Sequence, residues 1–579
     1  MRGSDMDATA LSPAVAPSPE RRAPLPTRPW LRHYPEGVPS EIDPSKYSSL
    51  VDLLDRSAAR YADRPAFSNM GVTLSYRTLA DKSRAFAAFL QHEWHVSQGD
   101  RIAIMMPNLL QYPVAAFGAL RAGLTLVNTN PLYTGRELQN QLVDSGASVI
   151  VILENYAHVL AQVLAHTPIK HVIVTKVGDM LPQPRAFIVN SVVAHVKRLV
   201  PPFNISHAVG FRDAIKRGAR WHPHAVALGH DDIAMLQYTG GTTGVSKGAM
   251  LSHGNVVANV LQGAAWHGVV IGEEGEVVIT ALPLYHIFSF TINCLSFMEL
   301  GGLNHLITDP RNLKGFVAEL RKVRFSCMTG VNTLFTYLMN TPGFADLDFS
   351  SLKLTIGGGM AVQRPVAERW QALTGRPILE GYGLTECSPL VCANPLDARE
   401  YSGNAGIPVP STECSIRDEE GRAVAHGTSG ELWIRGPQVM KGYWHRPEET
   451  AKVLGPDGWL RTGDIAQMDE RGYIKLVDRV KDMISVSGFK VYPNEVEEVV
   501  ASHPSVLEAA VVGVPDPDTG EAVKLFVVPR PGSSIDPEEL REHCKEQLVA
   551  YKVPRQIVLR SALPKSNVGK VLRRALRDE

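Results

Sequence analysis

From about residue 47 onward, hydrophobic residues recur with the period of a helix in some segments and follow one another without interruption in others. Apolar residues at Leu50, Leu53, Leu54 and Ala58 follow the period of a helix with one buried face. Short apolar runs separated by helical stretches then predict buried strands at 101–106, 124–127, 148–153 and 171–174. Because strands that alternate with helices form parallel βαβ units, the sequence predicts an α/β fold.

The pattern changes again beyond about Ser415, where short strands with turns precede a compact α+β tail that starts near Ile484. We therefore expect a large domain over 41–480 and a small C-terminal domain over 481–579. The charged run at 479–482 fits either a hinge or a solvated turn between strands. Eight prolines in residues 1–40 predict a disordered leader. Within it, Met1-Arg-Gly-Ser4 resembles residues added by an expression vector, and Met6 is a second candidate for the natural start of the protein.

Composition narrows the class of protein. A chain of 579 residues exceeds what one core sustains, so two or more domains are expected. Lys plus Arg and Asp plus Glu balance at 59 each, which argues against a nucleic-acid partner.

The six cysteines lack ligand or disulfide spacing, and the N-terminus lacks the apolar stretch of a signal peptide. The apolar run at 277–298 is interrupted by polar residues and reads as core and pocket wall. A cytoplasmic protein is expected.

A glycine- and threonine-rich loop carries the strongest chemical signal. An apolar strand at 233–238 leads directly into Tyr238-Thr-Gly-Gly-Thr-Thr-Gly-Val-Ser-Lys-Gly248. The Walker phosphate loop needs glycine before its lysine and Ser or Thr after it, whereas here Ser246 precedes Lys247 and Gly248 follows. Glycines, hydroxyls and one lysine still suit phosphate, so the loop predicts ATP binding of another kind. Glycine runs at 357–359 and 381–383 also follow strands, and we expect these turns to converge at one sheet edge.

Taken in order, eight motifs resemble the adenylate-forming superfamily and, within it, the bacterial long-chain fatty acid–CoA ligases. The resemblance runs from about Trp30 to Glu579 and rests on the loop at 238–248 and on Leu282-Pro-Leu-Tyr-His-Ile-Phe288, Gly357-Gly-Gly-Met360, Glu380-Gly-Tyr-Gly-Leu-Thr-Glu386, Asp457-Gly-Trp-Leu-Arg-Thr-Gly-Asp464, Val477-Asp-Arg-Val-Lys-Asp482, Ser487-Gly-Phe-Lys-Val-Tyr-Pro-Asn-Glu495 and Pro564-Lys-Ser-Asn-Val-Gly-Lys570.

The resemblance implies a large, multi-subdomain AMP-binding domain with βαβ sheets and a small mobile C-terminal lid. It also implies a two-step reaction on three substrates. A fatty acid carboxylate attacks the α-phosphate of ATP to give acyl-AMP and diphosphate, and the thiol of CoA then attacks the acyl carbon.

The resemblance also assigns candidate site residues. Lys570 supplies positive charge at the α-phosphate, and Lys570, Glu386 and His286 are the candidate catalytic residues. Mg²⁺ is expected on Thr239 and Glu386, since it prefers hard oxygen ligands. Tyr382 is placed to stack on adenine, and Asp464 and Arg479 to hold the ribose. The full nucleotide set is Thr239, Gly240, Gly241, Thr242, Thr243, Gly244, Lys247, Gly358, Gly359, Gly381, Tyr382, Gly383, Thr385, Asp464 and Arg479.

Other residues are assigned to domain motion and to the acyl chain. Lys481 occupies the hinge position of the family, and Ser487, Gly488 and Lys490 fall in the loop expected to enter the site for the CoA step. His286 lies near the expected carboxylate, although a packed core histidine is the alternative. Phe288 and Phe290 are candidate walls of an apolar acyl pocket, and no aspartate between Leu282 and Phe290 is available to pair a substrate ammonium group.

Several alternatives remain open at this point. The apolar segment 185–200, with Lys197 and Arg198 near its end, fits a peripheral contact with the inner face of the membrane or an ordinary packed helix. A homodimer is compatible with the sequence, which leaves the oligomeric state open. The competing functions are an acyl-AMP ligase that loads a carrier protein and a catalytically inactive fatty-acid-binding regulator. The intact Lys247, Glu386, Asp464 and Lys570 argue against the regulator.

Overall fold

A computed structural model of the chain describes residues 28–239, 246–272, 275–566 and 569–577. The described strands, in chain order, are β1 (Pro65–Asn69), β2 (Val72–Ser75), β3 (Arg101–Met105), β4 (Thr125–Asn128), β5 (Val149–Leu153), β6 (His171–Thr175), β7 (Val209–Gly210), β8 (Ile233–Thr239), β9 (Lys247–Ser252), β10 (Val277–Thr280), β11 (Leu303–Leu306), β12 (Cys327–Gly330), β13 (Leu354–Gly357), β14 (Ile378–Gly383), β15 (Leu390–Ala393), β16 (Ile407–Pro408), β17 (Glu413–Arg417), β18 (Gly430–Arg435), β19 (Leu460–Met468), β20 (Ile474–Arg479), β21 (Ile484–Val486), β22 (Phe489–Val491), β23 (Val506–Asp516), β24 (Gly520–Pro529) and β25 (Gln556–Leu559).

The α-helices are α1 (Leu50–Arg60), α2 (Tyr76–Trp94), α3 (Gln111–Arg121), α4 (Gly135–Ser145), α5 (Ala157–Val163), α6 (Arg185–Ser191), α7 (Phe211–Gly218), α8 (His253–His267), α9 (Phe297–Glu299), α10 (Leu313–Leu320), α11 (Asn332–Met339), α12 (Arg364–Thr374), α13 (Pro447–Val453), α14 (Pro493–Ala501), α15 (Pro537–Gln547) and α16 (Arg573–Arg577). Two π-helical segments, Val192–Val196 and Ser289–Ser296, continue α6 and precede α9.

Three sheets build the large N-terminal domain. A seven-stranded sheet has the order β7-β6-β5-β3-β4-β8-β9, in which only β9 runs antiparallel to its neighbour. A nine-stranded sheet has the order β16-β15-β14-β13-β12-β10-β11-β1-β2, parallel in its middle and antiparallel at both ends. The strands predicted near 101, 124, 148 and 171 are confirmed as β3 to β6, and β5 is buried along its whole length, as expected for a parallel strand covered on both faces.

A four-stranded antiparallel sheet, β17-β18-β19-β20, closes the N-terminal domain. The small C-terminal domain follows, with β22-β21-β24-β23, β25 paired to β24, and the helices α14 to α16. Its buried apolar residues all come from Ile484 onward, whereas the largest core cluster of the N-terminal domain ends at Ile474. The fold is therefore α/β with two separate sets of cores. Among the described residues, no helix is both long and apolar enough to span a membrane.

Two expectations about organisation need correction. The glycine turns do not share one sheet edge, because β8 lies in the seven-stranded sheet while β13 and β14 lie in the nine-stranded sheet. Nor does the leader reach residue 40 as a disordered segment. Residues 1–27 lie outside the described part, but Trp30 is only 1% exposed and packs against Gly472, and Arg28 pairs with Glu413 at 2.8 Å. The prediction failed because it used the average composition of residues 1–40, which gives no weight to a single buried aromatic side chain such as Trp30.

Replacement of Trp30 tests whether residues 28–40 belong to the folded domain. We expect Trp30→Ala to destabilise the N-terminal domain by about 3–5 kcal/mol, since it removes a fully buried indole. Urea unfolding monitored by circular dichroism measures this change. The matched control is Trp221→Ala, because Trp221 is 50% exposed and should cost much less. Equal midpoints for Trp30→Ala and the unmodified protein would mean that this segment does not stabilise the fold.

Candidate active site

The nucleotide-loop candidates lie between two antiparallel strands. Thr239 ends β8 directly opposite Lys247, the first residue of β9. The hydroxyl of Ser246 donates to the carbonyl of Thr239 at 2.5 Å, which closes the base of the loop. Five predicted residues, Gly240, Gly241, Thr242, Thr243 and Gly244, lie outside the described residues. On the other side of β8, the hydroxyl of Tyr238 donates to Asp144 at 2.7 Å and ties this hairpin to α4.

Lys247 and Glu386 share an aromatic neighbour. The ammonium group of Lys247 pairs with the carboxylate of Glu449 and lies 5.1 Å from the centre of the Tyr443 ring. The Tyr443 hydroxyl in turn donates to Oε1 of Glu386 at 2.7 Å. Glu386 lies in a 3-10 turn, Thr385–Cys387, that packs against β9. The structure thus brings the loop lysine close to the candidate metal ligand.

Asp464 lies at the centre of the expected ribose site. One of its carboxylate oxygens accepts a hydrogen bond from the Tyr382 hydroxyl at 2.6 Å, and the other pairs with Nε of Arg479 at 3.0 Å. Asp464 as a residue is 6% exposed, and each oxygen keeps a second lone pair that a ligand hydroxyl can use. Asp464 and Arg479 face each other because β19 and β20 pair in that register. Burial, together with Asp464, raises the pKa of Tyr382 and keeps its phenol protonated.

Lys570 reaches this site from the C-terminal domain. Burial lowers its pKa from an ordinary 10.5 to about 8, and the nearby guanidinium groups of Arg479 and Arg573 and the ammonium of Lys481 act in the same direction. The carboxylate of Asp464 opposes that shift. Arg573 is itself paired with Glu497, Asp478 and Asp482, which leaves Arg479 and Lys570 as the cations that the two domains bring to Asp464. A pair of cations at one site is suited to an anionic ligand.

His286 is held as a neutral imidazole. Burial lowers its pKa to about 4, and the ammonium of Lys570 adds to this effect. The backbone N–H of Phe288 donates to Nδ1 of His286 at 3.3 Å, so the proton of the neutral ring sits on Nε2. His286 is thus close to the reaching lysine and half-buried, so it is not the fully packed core histidine that the second interpretation describes.

The two candidate acyl-pocket phenylalanines have different environments. Phe288 is partly exposed and lies against Gly358, where a Cβ atom would come within 3.0 Å of its ring. Phe290 is fully buried and packs edge-on against Tyr112, with the ring centres 6.3 Å apart. In this structure Phe290 is a core residue without an accessible face, while Phe288 borders the glycine turn.

The remaining glycines allow backbones to approach closely. A Cβ atom on Gly383 would lie 2.1 Å from the carbonyl oxygen of Pro389, so no other residue fits there without movement. Gly359 follows β13 with φ of +78°, a conformation that glycine adopts without strain. Gly381 and Gly383 lie inside β14 on either side of Tyr382, and Thr385 follows two residues after the strand ends. These predicted residues share the carboxyl ends of β13 and β14.

The residues assigned to the CoA step lie apart from Asp464. Ser487 and Gly488 form the two-residue turn between β21 and β22, with φ of +50° and +82°, as a type I′ hairpin requires. Both are exposed, and no atom lies within 4 Å of a Cβ built on Gly488. Lys490 is exposed as well and pairs with Glu419 of the N-terminal domain at 3.6 Å. Lys481 is exposed between the two domain cores.

Comparison with known proteins identifies the family. Residues 54–444 match the profile of the AMP-binding enzyme family, and residues 495–570 match that of the AMP-binding enzyme C-terminal domain. The chain belongs to the AMP-binding enzyme family.

Individual relatives agree with this assignment. A long-chain-fatty-acid–CoA ligase of Yersinia pestis is 56% identical over 550 residues, which cover 95% of this chain and 98% of the relative. Among solved structures, a benzoate CoA ligase from Burkholderia xenovorans LB400 has a TM-score of 0.77 at 28% identity and covers 91% of this chain and 99% of its own. An anthranilate CoA ligase in complex with anthranoyl-AMP has a TM-score of 0.81 at 24% identity, covering 93% and 98%, and supports the fold alone.

In this AMP-binding enzyme, sequence reasoning missed two residues that contact the site. Tyr443 bridges Lys247 and Glu386, and Glu449 supplies the counter-ion of Lys247. A usable signal was the run Lys441-Gly-Tyr-Trp444, in which a glycine with φ of +135° precedes two aromatic residues. Its backbone hydrogen bonds to Met250 and Gly248 set this segment beside β9.

The lowered pKa of Lys570 predicts a pH dependence of ATP binding. Lys570 carries its charge below pH 8 and loses it as the pH rises through about 8, so affinity for ATP should weaken in that direction. Because ATP restores the charged form, the loss between pH 7 and 10 should reach about 10²-fold. Titration calorimetry at several pH values measures it. In Lys570→Met the loss of ATP affinity between pH 7 and 10 should be much smaller. An unchanged loss would mean that another group titrates in this range.

Proposed function

We propose that this enzyme activates medium- to long-chain fatty acids with ATP, first to acyl-AMP and then to the acyl-CoA thioester, with release of diphosphate and AMP. The observation that carries this proposal is that Lys570 of the C-terminal domain and Arg479 of the N-terminal domain both lie near Asp464, in a site assembled from both domains. The 56% identical ligase of Yersinia pestis supports the choice of substrates. ATP, a fatty acid and CoA are the small molecules that the enzyme binds.

The adenylation step depends on charge. An oxygen of the fatty acid carboxylate attacks the α-phosphorus, and the bond from that phosphorus to the oxygen bridging to the β-phosphate breaks. Two anions must approach each other, so the step requires positive charge placed in advance near the α-phosphate. Lys570 supplies this charge, while Asp464 and Arg479 hold the ribose and Lys247 grips the departing diphosphate. Tyr382 keeps the adenine in place by stacking.

Thr239 and Glu386 are suited to hold Mg²⁺. Tyr443 donates to only one oxygen of Glu386, which leaves the second for a ligand, and a carboxylate with a hydroxyl makes a hard oxygen donor set. Held by these two residues, Mg²⁺ would neutralise part of the phosphate charge.

The acyl chain is expected beside Phe288 and Gly358. The partly exposed ring of Phe288 provides an apolar surface next to the carboxyl ends of β13 and β14. Each CH₂ group buried there contributes about 0.8 kcal/mol, which favours long chains. Neutral His286 lies at the polar end of this surface and offers Nε2–H to the substrate carboxylate.

Thioester formation calls for a second arrangement of the domains. In the described orientation Lys570 lies at Asp464, while Ser487, Gly488 and Lys490 face solvent. Rotation about Lys481 would withdraw Lys570 and bring that exposed hairpin to the site, so that one site serves two chemical steps. The domains lie at 41–480 and 481–579 in this proposal, and the separate hydrophobic cores on either side of residue 480 support that division.

The two half-reactions separate this function from its competitors. We expect fatty-acid-dependent ATP–diphosphate exchange, and acyl-CoA detected by mass spectrometry after CoA is added. Lys570→Ala should slow exchange by about 10²- to 10³-fold but still convert supplied acyl-AMP to thioester. Lys552→Ala is the matched control, because Lys552 pairs with Glu495 inside the same domain. Exchange without thioester would favour a carrier-loading ligase, and no exchange would favour a binding protein.

We also propose a peripheral membrane contact through the segment from Arg185 to Leu199. Only Ala186 of α6 is buried, whereas Phe187, Ile188, Val196 and Leu199 are 70%, 55%, 74% and 53% exposed. Lys197 and Arg198 are exposed beside them. Exposed apolar side chains next to cations suit the interface of an anionic bilayer and disfavour an ordinary packed helix.

Flotation with liposomes tests this contact. Vesicles rich in anionic lipid should carry the unmodified enzyme, and Lys197→Glu/Arg198→Glu should reduce the bound fraction about tenfold or more, since each cation contributes about 1 kcal/mol. The control is Arg422→Glu/Arg471→Glu, which makes the same change in net charge at exposed turns of the four-stranded sheet. Equal flotation of the two double variants would eliminate the proposal.

A further inference from the structure

One face of α11 contacts the loop that carries Lys570. The hydroxyl of Thr333 donates to the carbonyl oxygen of Gly569 at 3.1 Å, and Nζ of Lys565 donates to the hydroxyl of Tyr337 at 2.8 Å. Thr333 and Tyr337 are four residues apart on the helix and therefore lie on the same face. Lys565 and Gly569, which lie on the two sides of this loop, thus contact a single helix of the N-terminal domain.

Hydrogen bonds across the base of this loop couple the position of Lys570 to that of Lys565. Its stems are joined by the pairing of Lys565 with Val571, and the backbone N–H of Ser566 donates to the carbonyl of Lys570 at 2.7 Å. The hydroxyl of Ser566 accepts from the N–H of Lys570 at 3.1 Å. A Cβ atom on Gly569 would lie 2.8 Å from Oγ1 of Thr333, so glycine allows this contact. Fixing Lys565 therefore fixes Lys570.

The partners of Lys565 have different roles. Glu508 is 7% exposed, pairs with Lys565 at 2.5 Å and belongs to the same domain, so this ion pair survives any rigid rotation of that domain. Tyr337 belongs to the other domain, and its bond to Lys565 exists only in the described orientation. The ammonium also lies 4.6 Å from the centre of the Tyr337 ring. Of these two partners of Lys565, Tyr337 is therefore the one that can change the balance between orientations.

We propose that Tyr337 and Lys565 form an interdomain latch that selects the orientation used for adenylation and so positions Lys570. This inference rests on the proposed two-step function. Tyr337 and Lys565 are positioning residues, because neither contacts the candidate substrate site, and they act through the placement of Lys570. The latch favours the first half-reaction and does not contribute to the second.

Half-reaction kinetics of a double-mutant cycle test the latch. Tyr337→Phe keeps the ring and removes one hydrogen bond to a charged donor, so acyl-AMP formation in single turnover should slow about tenfold. Conversion of supplied acyl-AMP to thioester should remain unchanged or become faster. Lys565→Met should slow acyl-AMP formation at least as much, and the double variant should match Lys565→Met, since the shared bond is already lost.

Controls separate the latch from general damage and from the proposed function. Lys552→Met removes a lysine that is 18% exposed and ion-paired, as Lys565 is, and should leave acyl-AMP formation unchanged. If Tyr337→Phe slows both half-reactions equally, or slows neither, the latch is wrong while the function stands. If the unmodified enzyme forms no acyl-AMP, the proposed function itself fails. Should Lys565→Met not fold, Tyr337→Phe alone decides.

Discussion

The structure depends on the arrangement of cations around the carboxylate of Asp464. Like charges at short range oppose each other, and burial adds to the cost of each ammonium group. Burial and the charges of Arg479, Arg573 and Lys481 lower the pKa of Lys570, so these surroundings disfavour its charged form. In the proposed function, an entering phosphate would oppose that effect. Asp464 already opposes it, and it also pairs with Arg479.

The cations near Asp464 come from two domains, because Arg479 ends β20 and Lys570 belongs to the C-terminal domain. Apolar residues of each domain pack into their own cores, and the contacts between the domains include the hydrogen bonds of Thr333 to Gly569 and of Lys565 to Tyr337. Arg530 faces Arg369 across the interface, and burial together with this neighbour lowers the pKa of Arg530. Under the rotation proposed above, a contact made in only one orientation shifts the balance between the two.

Local patterns in the sequence predicted the elements and separated the domains. Continuous runs of valine and isoleucine predicted β5 and its neighbours because burial on both faces leaves a local trace. Pairings between distant residues leave no such trace. The bond of Tyr443 to Glu386 and the ion pair of Lys247 with Glu449 join residues far apart in the chain, so they emerged only from the fold. Composition also misjudged residues 28–40, where the single buried indole of Trp30 outweighed many prolines.

The neutral state of His286 fits the chemistry of the first step. A fatty acid carboxylate is already ionised near neutral pH, so its attack on phosphorus requires no general base. A histidine that stayed charged would compete with Lys570 for the same anion and raise the electrostatic cost of the site. With a pKa of about 4, His286 instead offers one N–H of fixed direction, because Nδ1 accepts the backbone N–H of Phe288. In the proposed mechanism, burial therefore separates two tasks: Lys570 would provide charge, and His286 would provide orientation.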